Sequence, residues 1–176
     1  MAQDFPRNLF LVGPMGVGKT TIGRSLADRL QLTFYDADHE IERRAGADIP
    51  WIFDVEGEQG FRNREVAVTD DLTSRKKVLV ATGGGAVLRE ENRRCLVSRG
   101  TVVYLATTVE IQIKRTERDR KRPLLATEDP AAVLRALKKQ RDPIYEEVAD
   151  VTYHVGEESS RRVVNGILRA LKALEF

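Results

Sequence analysis

Gly13-Pro14-Met15-Gly16-Val17-Gly18-Lys19-Thr20 is the stretch that decides the fold. It fills every fixed position of the phosphate-binding pattern G-x-x-x-x-G-K-[ST]. Upstream, Leu9-Phe10-Leu11-Val12 runs into it as an apolar strand. Downstream, residues 20–30 leave it as a helix with Ile22, Leu26 and Leu30 on one face. The pattern needs this strand–loop–helix setting. Glycines let main-chain N–H groups turn inward around a polyphosphate, and the helix that follows points its positive end at the same spot. Lys19 is placed to reach the terminal phosphates, and the Thr20 hydroxyl to ligate Mg²⁺.

Outward from the loop, short apolar strands alternate with amphipathic helices. Strands are expected at 8–12, 33–36, 77–81, 102–106 and 151–155. Val164, Ile167, Leu168, Leu171 and Leu174 form an apolar stripe on a C-terminal helix. This alternation predicts an α/β protein with an open, five-stranded parallel sheet covered on both faces, a three-layer α/β/α arrangement with ligands at the carboxyl ends of the strands. Two stretches exceed simple crossovers. Residues 38–75 hold two or three helices and are expected to bind substrate, and the polar, proline-bounded residues 116–130 to form a lid.

Size and composition narrow the class. The 176 residues suit one domain, 1–176. Charged residues make up 32%, yet the net charge is only +2, so the surface is mixed and not a polyanion-binding one. The basic cluster Arg118, Arg120, Lys121 and Arg122 is interleaved with Glu117 and Asp119, which argues against nucleic acid. No membrane span and no secretion signal are visible, and Cys95 is the single cysteine, so a cytoplasmic protein is expected. No heptad seam appears, and monomer is the expectation. His39 and His154 lack metal-ligand spacing. Asp54-Val55-Glu56-Gly57 matches D-x-x-G but follows no strand, and no N-K-x-D motif accompanies it, which removes a GTP switch.

A phosphate loop needs a carboxylate near Mg²⁺. The third strand ends in Ala81-Thr82 without one, which leaves Asp36-Ala37-Asp38 at the end of the second. Asp36 could hold the metal through water and Asp38 could face an acceptor hydroxyl, or the pair could simply cap the next helix. Gly83-Gly84-Gly85 follows the third strand and would face the same cleft with bare N–H donors. Phe53 and Phe61 could wall a small polar ring, form a core for the inserted helices, or do both. Arg62, Arg122 and Arg141 are not distinguishable from the other arginines by composition alone.

Taken in order, the loop, Phe34-Tyr35-Asp36-Ala37-Asp38, Glu58-Gln59-Gly60-Phe61-Arg62, Thr82-Gly83-Gly84-Gly85, Lys121-Arg122-Pro123-Leu124-Leu125 and Arg141-Asp142-Pro143-Ile144-Tyr145 resemble the shikimate kinases over nearly the whole chain. The resemblance implies a P-loop NTPase fold of the nucleoside-monophosphate-kinase type, with a substrate-binding insertion and a lid. It implies transfer of the γ-phosphoryl of ATP to the 3-hydroxyl of shikimate, with Mg²⁺ as cofactor and ATP and shikimate as the small-molecule partners. On this basis ATP is held by Gly13, Pro14, Met15, Gly16, Val17, Gly18, Lys19, Thr20 and Thr21, with Arg115 on the adenine and Arg122 closing from the lid. Mg²⁺ falls to Thr20 and, through water, Asp36. Shikimate falls to Asp38, Phe53, Phe61, Arg62, Gly83, Gly84, Gly85 and Arg141, with Asp38, Lys19 and Arg122 catalytic. Departures are small: Ala81 stands where some members have serine, and residues 156–161 lack an adenine-facing proline. The alternative is another small-molecule kinase of the same fold, such as a gluconate kinase.

Overall fold

A computed structural model describes residues 5–117 and 127–174. Five strands, β1 (Asn8–Val12), β2 (Thr33–Asp36), β3 (Val78–Ala81), β4 (Gly100–Ala106) and β5 (Val151–His154), form one sheet in the order β2-β3-β1-β4-β5. Every pairing is parallel. The expected strands are all present, with ends shifted by no more than two residues.

Among the described residues seven α-helices accompany them: α1 (Lys19–Leu30), α2 (Ala37–Ala45), α3 (Ile49–Ser74), α4 (Glu90–Arg99), α5 (Val109–Thr116), α6 (Pro130–Val148) and α7 (Ser160–Leu174). The two-residue period of the strands sorts them into layers. Leu9, Leu11, Leu79, Val103 and Leu105 face α1 and α7, where they meet Ile22, Leu26, Val164 and Ile167. Phe10, Val12, Val80, Val102 and Tyr104 face the opposite way, onto Ile41, Ile52, Leu72, Leu96 and Tyr145. Burying each of these large side chains stabilises the fold by about 1.5–3 kcal/mol. Both faces of each central strand are therefore apolar, which is why the strands read as continuous hydrophobic runs.

The inserted stretch is α2 followed by α3, and α3 is broken at Gly57, whose φ of 73° no helix accommodates. The expectation of two or three helices there is met by two helices, one of them interrupted. Helix starts follow their caps. Asp36 accepts from the His39 N–H, Asp48 from Trp51, Thr108 from Ile111 and Asp129 from Ala132. Helix α1 differs, because its cap is Gly18 in the left-handed region and no side chain covers its first N–H groups. Those donors stay open toward the carboxyl edge of the sheet.

Candidate active site

Strands β1 and β3 lie side by side, so the loops leaving their carboxyl ends meet. Between them opens a cleft of about 630 Å³, lined by Gly16, Gly18, Lys19, Thr20, Thr21, Asp36, Asp38, Thr82, Gly83, Gly84 and Arg115, among others. The loop after β1 is shaped by its glycines. Gly13 has φ 147°, and a Cβ there would lie 2.5 Å from the Leu105 carbonyl oxygen, so only glycine lets the loop pass β4. The Lys19 ammonium folds back over the loop and donates to the Gly13 and Pro14 carbonyls at 2.6 and 2.8 Å. Met15 tucks beneath it with Val109 and Leu134 in a small apolar cluster.

At the neighbouring strand end, Thr20 Oγ1 donates to Asp36 Oδ2 at 2.5 Å, while Asp36 Oδ1 caps α2. The two functions left open in the sequence are thus compatible, because each uses a different oxygen of Asp36. A hydroxyl beside a carboxylate is an all-oxygen donor pair of the kind Mg²⁺ takes together with phosphate oxygens and water. Arg115, on α5, donates to the Val17 carbonyl at 2.9 Å and more weakly to that of Gly156 at 3.4 Å. It therefore borders the loop on the side away from Asp38.

The other half of the cleft is made differently. Arg62 on α3 is buried and donates to Glu65 Oε1 at 2.9 Å, and to the exposed Glu58 at 3.4 Å. Glu65 is completely buried, which pushes its carboxyl up to about 7 even though Arg62 pulls the other way; the Asp38 charge raises it further. A Cβ on Gly83 would lie 2.6 Å from Asp38 Oδ1 and 2.9 Å from Glu65 Oε2, so two carboxylates converge on one spot. A Cβ on Gly85 would lie 2.3 Å from an Arg62 nitrogen, and the guanidinium therefore packs flat on bare main chain. On α6, Arg141 is buried, and burial followed by the nearby Arg62 charge pulls its guanidinium below its ordinary value. A Cβ on Gly84 would lie 3.4 Å from Arg141 Nη1 and 3.5 Å from the Met15 N–H nitrogen, so this glycine is where the two halves touch. Tyr145 fixes it by donating from its hydroxyl to the Gly84 carbonyl.

Not every expected residue reaches the cleft surface. Arg62 and Arg141 stand behind the glycine run, and neither they nor Gly85 are among the lining residues. Phe53 and Phe61 pack on each other with centroids 4.9 Å apart, and Phe61 is buried under Arg62 in the core of the inserted helices. Arg122 lies outside the described residues, as does most of the stretch 116–130. The cleft also takes in Arg24, Glu42 and Ile49, which carry no expectation from the sequence, and His39, which the sequence sets aside as a metal ligand. Arg24 follows Thr20 by one helical turn, and Glu65 follows Arg62 at the i,i+3 spacing that pairs side chains on a helix. Those spacings were the available signals.

A parallel sheet with helices on both faces, a glycine loop closing on Lys19 and a charged pocket beside it define a P-loop kinase. Comparison with known proteins specifies which one. A family model described as shikimate kinase matches residues 15–172. Shikimate kinase 1 of Pectobacterium atrosepticum is 56% identical over 168 residues, which is 95% of this chain and 97% of that protein. The structure of shikimate kinase from Acinetobacter baumannii in complex with shikimate superposes with a TM-score of 0.96 at 51% identity, covering 98% of this chain and 97% of that one. A gluconokinase from Sinorhizobium meliloti 1021 gives a TM-score of 0.60 at 18% identity, covering 99% and 98%, and shares the fold alone. The chain belongs to the shikimate kinase family. It is an ATP-dependent phosphotransferase.

Proposed function

We propose that this chain transfers the γ-phosphoryl of ATP to the 3-hydroxyl of shikimate. The observation that carries the proposal is the convergence of Asp38, Glu65, Arg62 and Arg141 on Gly83-Gly84-Gly85, beside the phosphate loop. Two buried guanidiniums suit a carboxylate on the acceptor, because their forks match its two oxygens. Asp38 receives the proton of the attacking hydroxyl as the new P–O bond forms and the bond to the β-bridging oxygen breaks. Lys19 and the open N–H groups of α1 neutralise the charge that builds on the phosphates. Thr20, and Asp36 through water, would hold Mg²⁺, which would supply further neutralisation at the phosphate oxygens. Arg115 borders the adenine, Arg122 closes with the lid, and Phe53 and Phe61 support the acceptor side from beneath. The insertion 38–75 and the lid 116–130 belong to a single kinase domain, 1–176, acting as a cytoplasmic monomer. Among the described residues, no helix is long and apolar enough to cross a membrane.

ADP release from Mg·ATP tests this, with shikimate, gluconate and nucleoside monophosphates offered separately. Release with shikimate alone is the expected result. Release with gluconate or a nucleotide instead would leave the fold standing and sink the acceptor.

A further inference from the structure

Behind the phosphate loop lies a second and much smaller pocket, of about 10 Å³, bordered by Met15, Gln112, Arg141 and Asp142. Gln112, on α5, is buried and donates from its amide nitrogen to the Met15 carbonyl at 2.9 Å. Only the nitrogen can donate to a carbonyl, so this bond fixes the amide and leaves Oε1 aimed elsewhere. Gln112 Oε1 is buried and has no hydrogen-bond partner among the described residues. The same holds for Arg141 Nε and Asp142 Oδ1. Asp142 engages Lys138 through its other oxygen, at 2.6 Å, and its carboxylate also interacts with the Tyr104 hydroxyl. Native interiors rarely leave a donor and two acceptors unmatched around one pocket.

We propose that this pocket is a built site for one water molecule, which accepts from the Arg141 Nε–H and donates to Gln112 Oε1 and Asp142 Oδ1. The volume is near the minimum a water requires, roughly 10–15 Å³, and three polar partners are what a buried water ordinarily has. Arg141 disfavours a cation there and Asp142 an anion. The water joins the two halves of the cleft. Gln112 holds the phosphate loop at Met15, and through the water the same side chain orients the Arg141 guanidinium, whose Nη1 stays beside Gly84. Gln112 and Asp142 are then positioning residues for Arg141. This consequence rests on the assignment of Arg141 to the acceptor carboxylate; the water site itself does not.

A crystal structure of the full chain at about 1.8 Å or better tests the site directly. A water peak within hydrogen-bond distance of all three atoms is expected. A pocket without density, or direct pairing of these atoms with protein groups, overturns the proposal whatever the substrate is. The positioning role is read from two variants at Asp142. Both weaken its ion pair with Lys138, but Asp142→Asn keeps a polar partner for the water and Asp142→Leu does not. Asp142→Leu is expected to raise the shikimate KM about fivefold, with the ATP KM within about twofold, and Asp142→Asn to stay near the parent. Gln112→Met, which loses both of that residue's links, is expected to raise both Michaelis constants. Equal shikimate KM values for the two Asp142 variants, or a Gln112→Met effect on ATP alone, would remove the bridge. A parent protein inactive on shikimate would instead sink the acceptor assignment and leave the crystallographic test standing.

Discussion

The phosphate side of the cleft is made of main chain, whereas the side proposed for the acceptor is made of charged side chains, three of them buried. On the first, Gly13 to Gly18 bend one short loop so that N–H groups, carbonyls and a helix end do the work, with Lys19 resting on the same loop. On the second, Asp38, Arg62, Glu65 and Arg141 come from three helices and are held against a glycine run only by folding. Main-chain recognition is indifferent to most side chains but intolerant of a misplaced Cβ. Side-chain recognition is the reverse, and it depends on pairing, because breaking a buried ion pair leaves an uncompensated charge that costs about 3–5 kcal/mol.

Experiments can break or sharpen this contrast. The largest effect is expected for Asp38→Asn, which keeps the shape and removes the base: kcat should fall on the order of 10²- to 10⁴-fold. Steady-state turnover checks it, and a loss below about tenfold would deny Asp38 the proton. Next comes Gly13→Ala, whose Cβ would collide with the Leu105 carbonyl. It should abolish measurable Mg·ATP binding by calorimetry, while Pro14→Ala in the same loop stays within about threefold of the parent. Equal losses for the two would mean that the loop works through its side chains after all. Arg141→Lys should raise the shikimate KM roughly ten- to a hundredfold and leave the ATP KM alone, because a point charge replaces a fork. A matching rise for ATP would show that the halves are not separable in this way.

The smallest effect is a slope. Glu65 titrates near 7 in the folded chain against an ordinary 4.5. Between those values the folded state holds a proton that the unfolded chain has released. Its contribution to stability is therefore complete below the ordinary value and is lost as the pH rises through about 7. Glu65→Gln, neutral throughout, should flatten the fall in melting temperature over that window. Parallel profiles for variant and parent would place the titration elsewhere.

The same contrast explains what could be read from the sequence. The phosphate loop is contiguous, so its pattern, its strand and its helix were legible together, and the sheet followed from the alternation around them. The alternation could not say that Asp36 would use one oxygen for the cap and the other for Thr20, since that needs the ends of β1 and β2 brought together across the intervening β3. Arg62 and Arg141 were picked out only by resemblance to a family, because no local rule separates a buried arginine from a solvated one. Glu65 and Gln112 were passed over for the same reason. Their meaning lies in partners that fold onto them, Gly83 in one case and Met15 in the other.

The ammonium of Lys19 has two carbonyl oxygens of its own loop as neighbours. An arriving polyphosphate thus competes with the protein for a cation instead of meeting one in solvent. Nucleotide affinity is then the difference between two sets of charge-assisted contacts, and it measures how willingly the loop releases its own lysine as much as how tightly the lysine holds the nucleotide.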